Sequence, residues 1–127
     1  MSDIVVDLDY RSYKIIVKNG ALESFPGYLD NNLSAKNLVL ISHNSVMKYY
    51  GFNLKNNLEI LGHEVIEIIL PDGDDSKDLE IYNKIITKMI KANCDRSSVV
   101  IALGGGVVGD ISGFVASSFM RGIKYYQ

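Results

Sequence analysis

The sequence predicts an α/β chain: a mostly parallel sheet with helices on both faces, preceded by an antiparallel strand pair. Three observations carry this. Val99 to Leu103 (VVIAL) is a continuous apolar run, the pattern of a strand covered on both sides. Gly104, Gly105 and Gly106 follow at once, and residues 107–120 then carry apolar side chains at 107, 108, 111, 114, 115 and 119, which is helical spacing. Strand-like and helix-like segments alternate along the rest of the chain, as parallel sheets with crossover helices require.

In chain order, Ile4 to Leu8 and Tyr13 to Val17, either side of Asp9-Tyr10-Arg11, predict the antiparallel pair, and Asn19-Gly20 ends it with a turn signal. Ala21 to Leu33 predicts a short helix interrupted near Pro26-Gly27. Asn37 to Ser42 (NLVLIS) reads as a buried strand, Ser45 to Tyr50 and Leu54 to Leu61 as helical, with Gly62 closing the helix. Val65 to Leu70 is the next strand, and Pro71 to Ser76 a loop by composition. Lys77 to Ala92 is the clearest helix: Leu79, Tyr82, Ile85, Ile86, Met89 and Ile90 make one stripe, Asp75 is placed to cap it and Asp78 falls in its first turn. After the glycine-opened helix, Ile123, Tyr125 and Tyr126 begin another strand, so the chain is expected to be a piece of a longer one.

The 127 residues give room for one domain, with 47% hydrophobic and 22% charged residues, the balance of a water-soluble fold. A net charge near −2 offers no general attraction to nucleic acid or anionic membrane. The longest uncharged run, Ser97 to Gly109, is too short to span a bilayer. The single cysteine, Cys94, cannot form an internal disulfide or a zinc cage; with no secretory signal, the expected location is cytoplasmic.

A strand, a glycine turn and a helix N-terminus together gather free amides and a positive dipole end, which suits phosphate. Gly104-x-Gly106-x-x-Gly109 also fits the dinucleotide fingerprint of Rossmann units, where the last glycine lets the helix pack on the sheet. Two readings stand, a phosphate cradle and a tight turn without ligand. Asp110 follows directly and stabilises the dipole, orients the loop or accepts a ligand hydroxyl. The loop Asp72-Gly73-Asp74-Asp75-Ser76-Lys77 is likewise either a solvated turn with a good cap, or a set of carboxylates for ribose hydroxyls with Lys77 for a phosphate or carboxylate. The early glycine and the missing closing glutamate exclude an EF-hand. His43, the 72–77 loop and the 104–110 loop each follow a strand, so all three are expected on the carboxyl rim, where such sheets bind ligands. His63, ahead of a strand, reads as a surface residue, and Cys94 as a packed thiol. Arg121, just past the last helix, is suited either to that helix's carbonyls or to a phosphate.

Residues 104–122, GGGVVGDISGFVASSFMRG, closely resemble the signature of the 3-dehydroquinate synthase family, and Pro71-Asp72-Gly73 with Lys77 and Leu79 resembles that family's second loop. The resemblance implies a Rossmann-like NAD-binding domain spanning residues 1–127, and a helical C-terminal domain, missing here, that holds zinc or cobalt. It implies conversion of 3-deoxy-D-arabino-heptulosonate 7-phosphate to 3-dehydroquinate and phosphate, a lyase reaction in which the redox is internal and NAD is not consumed. Carried over by position, Asp72, Gly73, Asp74 and Lys77 would hold the adenosine and ribose part of NAD, with Asp75, Ser76 and His43 in the same region. Gly105, Gly106, Val107 and Asp110 would hold the pyrophosphate and nicotinamide side, flanked by Val108 and Gly109. Arg121 matches an arginine that reaches the substrate phosphate of a neighbouring subunit, which implies a homodimer. His43 stands where the family often has Asp or Asn, and Asp74 where Glu is usual. The 127-residue chain alone is expected to lack synthase activity and to bind NAD weakly. The competing readings are a related sugar-phosphate cyclase or an iron-dependent alcohol or glycerol dehydrogenase relative, and a non-catalytic nucleotide-binding or dimerisation module.

Overall fold

Parallel pairing of apolar strands builds the larger part of the chain. The computed structural model describes residues 2–32, 37–73 and 77–127, and the chain falls into two compact units, Met1–Leu33 and Ser34–Gln127.

In the first unit, β1 (Ser2–Val6) pairs antiparallel with β2 (Tyr13–Val17), Ile4 opposite Ile15 and Val6 opposite Tyr13. Strand β1 begins and ends two residues earlier than predicted. The Asp7 carboxylate accepts from the Asp9 amide and from Ser12 Oγ, which folds 7–12 into a turn. Helix α1 (Ala21–Asn32) runs unbroken through Pro26, where an interruption was expected. The pyrrolidine ring removes the one bond its N–H would have made to the Leu22 carbonyl, and the helix continues past it.

The second unit is a four-stranded parallel sheet in the order β4-β3-β5-β6: β3 (Asn37–His43) lies between β4 (Glu64–Leu70) and β5 (Val99–Leu103), and β6 (Lys124–Tyr126) pairs with β5. The two strands covered on both faces are the two with the longest apolar runs. In β3, Leu38, Val39, Leu40 and Ile41 are all fully buried. Side-chain alternation then sorts the layers. Val39, Ile41, Ile68, Leu70, Val100 and Ala102 face α4 (Leu79–Lys91) and α5 (Gly106–Ser118), whose Ile85, Met89, Val108, Ile111 and Val115 complete that core. The opposite face is covered by one helical stretch, α2 (Asn44–Val46), a π-helical turn (Met47–Gly51) and α3 (Phe52–Ile60), where two separate helices were expected. Glu67, pointing away from the Ile68 side, pairs with Lys55 of α3 at 3.5 Å. Right-handed crossovers require this split: the chain moves one way from β3 to β4 and the other way from β4 to β5 and on to β6.

Local signals set the helix ends. Helix α4 starts two residues later than predicted, because Asp78 is its N-cap and accepts from the Ile81 amide at 2.7 Å. Gly62, at φ +95°, closes α3 as expected, and the His63 amide reaches back to the Leu58 carbonyl. His63 itself is buried at 9% exposure, against the surface placement read from sequence; its position just past the α3 cap turns it inward.

Ser112 has the least explained environment in the core. It is 0% exposed at the centre of the buried face of α5, and its Oγ is a buried atom with no hydrogen-bond partner. Replacing it with alanine removes an unsatisfied hydroxyl and improves helix propensity. Ser112→Ala is therefore expected to raise unfolding stability by about 1 kcal/mol, read as a higher urea midpoint at unchanged slope; a lowered midpoint would mean the hydroxyl has a partner.

Candidate functional site

The sheet order puts a topological switch between β3 and β5, since the crossing out of β3 runs toward β4 and the crossing out of β5 runs the opposite way, toward β6. At such a point the loops diverge and leave a crevice at the carboxyl ends of the strands. Just below that crevice Ser42 Oγ donates to the Leu103 carbonyl at 2.6 Å, tying the ends of the two strands together. His43 ends β3 opposite Leu70, and its Nε2 is buried with no hydrogen-bond partner. His43, the described residues Asp72, Gly73 and Lys77, and the 104–110 loop thus share one rim, as parallel strands dictate.

Helix α5 opens on that rim without a cap. Its N-cap is Gly105, no side chain bonds to the first turn, and the first intrahelical bond is from the Gly109 amide to the Gly105 carbonyl, 3.0 Å. The amides of Gly106, Val107 and Val108 precede that bond and carry the positive end of the dipole. Gly104 sits at φ +154°, and a Cβ there would lie 3.0 Å from Val108 Cγ2. At Gly105 and Gly106 a Cβ would meet nothing within 4 Å. The turn is therefore tight on its inner side and open on its outer side. Val108 is fully buried, so its side chain belongs to the core and only its amide faces the rim. Gly109 is also buried, with its amide already committed to Gly105.

Beside this opening stands Lys77, immediately before the α4 cap. Its Nζ lies 2.6 Å from Asp110 Oδ2, in the first turn of α5, with the two side chains 50% and 65% exposed. The pair joins the two helix starts at their solvent edge. Asp72 has a second duty: its Oδ1 accepts from Ser45 Oγ at 2.9 Å and from the Ser45 amide at 3.3 Å, which holds the loop after β4 to the helix after β3. Gly73 is at φ +105°. Asp74, Asp75 and Ser76 lie outside the described residues. Arg121 stands apart. It is exposed, with left-handed backbone at both Met120 (φ 49°) and Arg121 (φ 67°), and it precedes β6, at the amino rim. A 13-residue helix separates it from the glycine turn, a rise of about 20 Å. Sequence reasoning passed over Ser42, Ser45 and Tyr125, each of which acts through a partner at least 16 positions away.

Residues 67–127 match the family model described as 3-dehydroquinate synthase N-terminal. A 3-dehydroquinate synthase of Blochmanniella pennsylvanica is 40% identical over 127 residues, all of this chain and 35% of that protein. The chain is a relative of the 3-dehydroquinate synthases. It spans about a third of their length. Among solved structures, 2-epi-5-epi-valiolone synthase from Streptomyces hygroscopicus subsp. jinggangensis 5008, with NAD+ and Zn2+ bound, is 25% identical, with a TM-score of 0.73 over 96% of this chain and 33% of its own. A 2-deoxy-scyllo-inosose synthase, complexed with carbaglucose-6-phosphate, NAD+ and Co2+, shares the fold at 20% identity and TM-score 0.83, over 98% of this chain and 34% of its own.

Among the described residues no three His, Cys, Asp or Glu side chains gather as a metal-ligand set, and no helix is long and apolar enough to cross a membrane. Cys94 lines an open groove of about 510 Å³ between the far ends of α4 and α5. Burial pushes its thiol above the ordinary range, with Asp95 adding to the rise and a Ser98 hydrogen bond opposing it. A raised pKa leaves less thiolate at any given pH, so alkylation at mildly alkaline pH is expected to run severalfold slower than for free cysteine and to recover in urea; a rate at or above that of free cysteine would contradict the assignment.

Proposed function

We propose that this chain is the NAD-binding part of a 3-dehydroquinate synthase. The observation that carries the reading is the open outer face of Gly105 and Gly106 beneath three uncommitted amides, at the switch point of the sheet. A dinucleotide diphosphate fits there: main-chain N–H groups and the helix dipole meet its charge, and no side chain fills the space it needs. Lys77 adds a cation at the mouth, which the diphosphate takes over in part from Asp110. The freed Asp110 carboxylate and the second oxygen of Asp72 then accept hydroxyls of the riboses. The orphaned His43 Nε2 gains a partner when a ligand hydroxyl fills the crevice. Asp74, Asp75 and Ser76 complete this loop in the proposal. Bound NAD supplies a reversible hydride acceptor at the substrate's secondary alcohol; these residues bind it, orient it and exclude water beneath it.

The full-length protein converts 3-deoxy-D-arabino-heptulosonate 7-phosphate to 3-dehydroquinate and phosphate in the cytoplasm, on this reading. Arg121 belongs to a different place in it. Its position on the amino rim keeps it from the nucleotide of its own chain, and the family resemblance supports a role at the substrate phosphate of a second copy in a homodimer. The divalent metal finds no donor set among the described residues. Identity of 33–40% to proteins named 3-dehydroquinate synthase favours this reaction over that of the other sugar-phosphate cyclases.

One substitution separates the site from the fold. Gly106 is the first residue of α5 and has room for a methyl group. Gly106→Ala is expected to hold or raise thermal stability, by up to about 1 kcal/mol. In the full-length protein it should weaken NAD binding at least about tenfold by calorimetry, because the methyl occupies the diphosphate's seat, a loss of about 1.4 kcal/mol. Unchanged NAD affinity in a well-folded variant would overturn the cradle.

A further inference from the structure

We infer that Tyr125 is a positioning residue of the nucleotide site: its hydroxyl holds the first turn of α5 against the sheet. The inference rests on the reading of the α5 N-terminus given above. Tyr125 sits in the middle of β6, paired with Val100 of β5. Its hydroxyl donates to the Gly109 carbonyl at 2.8 Å, and its ring stands 3.6–3.8 Å from where a Cβ on Gly113 would be. Gly109 and Gly113 are one turn apart on the same face of the helix. The absence of side chains at both leaves a slot, and the phenol ring fills it. A Cβ built on Gly109 would run into the Gln127 carboxamide, so a side chain at 109 would have no room beside it.

This contact matters because of what α5 starts with. Three glycines in succession lose more conformational entropy on ordering than any other residues, so a turn beginning with them frays readily. Inside the helix the turn is closed by the single bond from the Gly109 amide to the Gly105 carbonyl. Tyr125 anchors the same residue from the sheet through its carbonyl, and so fixes the amides of Gly106, Val107 and Val108 relative to the crevice. The phenol has one hydrogen to give, and Gln127 Oε1 at 3.3 Å is the longer of its two acceptors. Burial, and then the charge of Asp110, push the phenol above its ordinary pKa, and a phenol is a donor at neutral pH even without that rise.

The test uses the full-length protein, because the ring and the hydroxyl can be separated there. Tyr125→Phe keeps the ring over Gly113 and removes the tether. Expected are three- to tenfold weaker NAD binding and faster hydrogen exchange in a peptide spanning 104–113, with exchange in the β3 and β5 strands unchanged. Gln127→Ala removes the competing acceptor and is expected to leave NAD affinity within about twofold. A merely structural tyrosine would give the opposite pattern: a lower melting temperature, exchange raised throughout the domain and unchanged NAD affinity, and that result would overturn the inference. If wild-type protein fails to bind NAD, the nucleotide reading falls, and the exchange comparison still decides whether Tyr125 tethers α5.

Discussion

Parallel pairing of β3 with β4 on one side and β5 on the other is the constraint on which the rest of the second unit depends. Parallel strands must all release their loops at the same rim, and a strand flanked by both of its successors in the sheet forces those loops apart. Three sequence segments distant from one another, the end of β3, the residues Asp72, Gly73 and Lys77, and the triple glycine, are thereby brought to one edge. The core sets how firmly. Four fully buried side chains in a row in β3, covered by α4 and α5 on one face and by the α2–α3 stretch on the other, leave that strand little freedom.

Openness at the rim contrasts with this. The glycine turn is packed against Val108 inside and empty outside, and α5 begins without a capping side chain. A sequence tuned only for stability would place Ser, Thr or Asp at that cap; the neighbouring helix α4 has such a residue in Asp78. The two helices thus start within reach of each other, one capped by its own side chain and the other without a capping side chain. Lys77 and Asp110 connect them through an ion pair that is half exposed, which at such exposure contributes little stability and is readily exchanged for another partner.

Much of this was legible in the sequence where the signal is local. The VVIAL run, the glycine turn and the stripe of α4 fixed the element types, and the alternation of strands and helices fixed the rim on which the loops meet. The start of α4 was not legible, since Asp75 and Asp78 satisfy the same capping rule and only the fold chooses between them. Pro26 was read as a break although the loss of a single N–H bond left the helix intact. At the candidate site, residue types and spacing pointed to the triple glycine, Lys77 and Asp110. The ion pair between the last two, the hold of Asp72 on Ser45 and the reach of Tyr125 to Gly109 depend on contacts between elements that no local pattern encodes.

The central claim is that the uncapped amides of α5 receive the charged bridge of a dinucleotide. Amide-resolved nuclear magnetic resonance of the protein titrated with NAD tests it most directly. The account requires the earliest and largest shifts at Gly105, Gly106, Val107 and Val108, accompanied by Lys77. Amides that stay in place there while the signals of Ile90, Cys94 and Phe119 move would put the nucleotide in the groove at the far end of α4 and α5, and would contradict it.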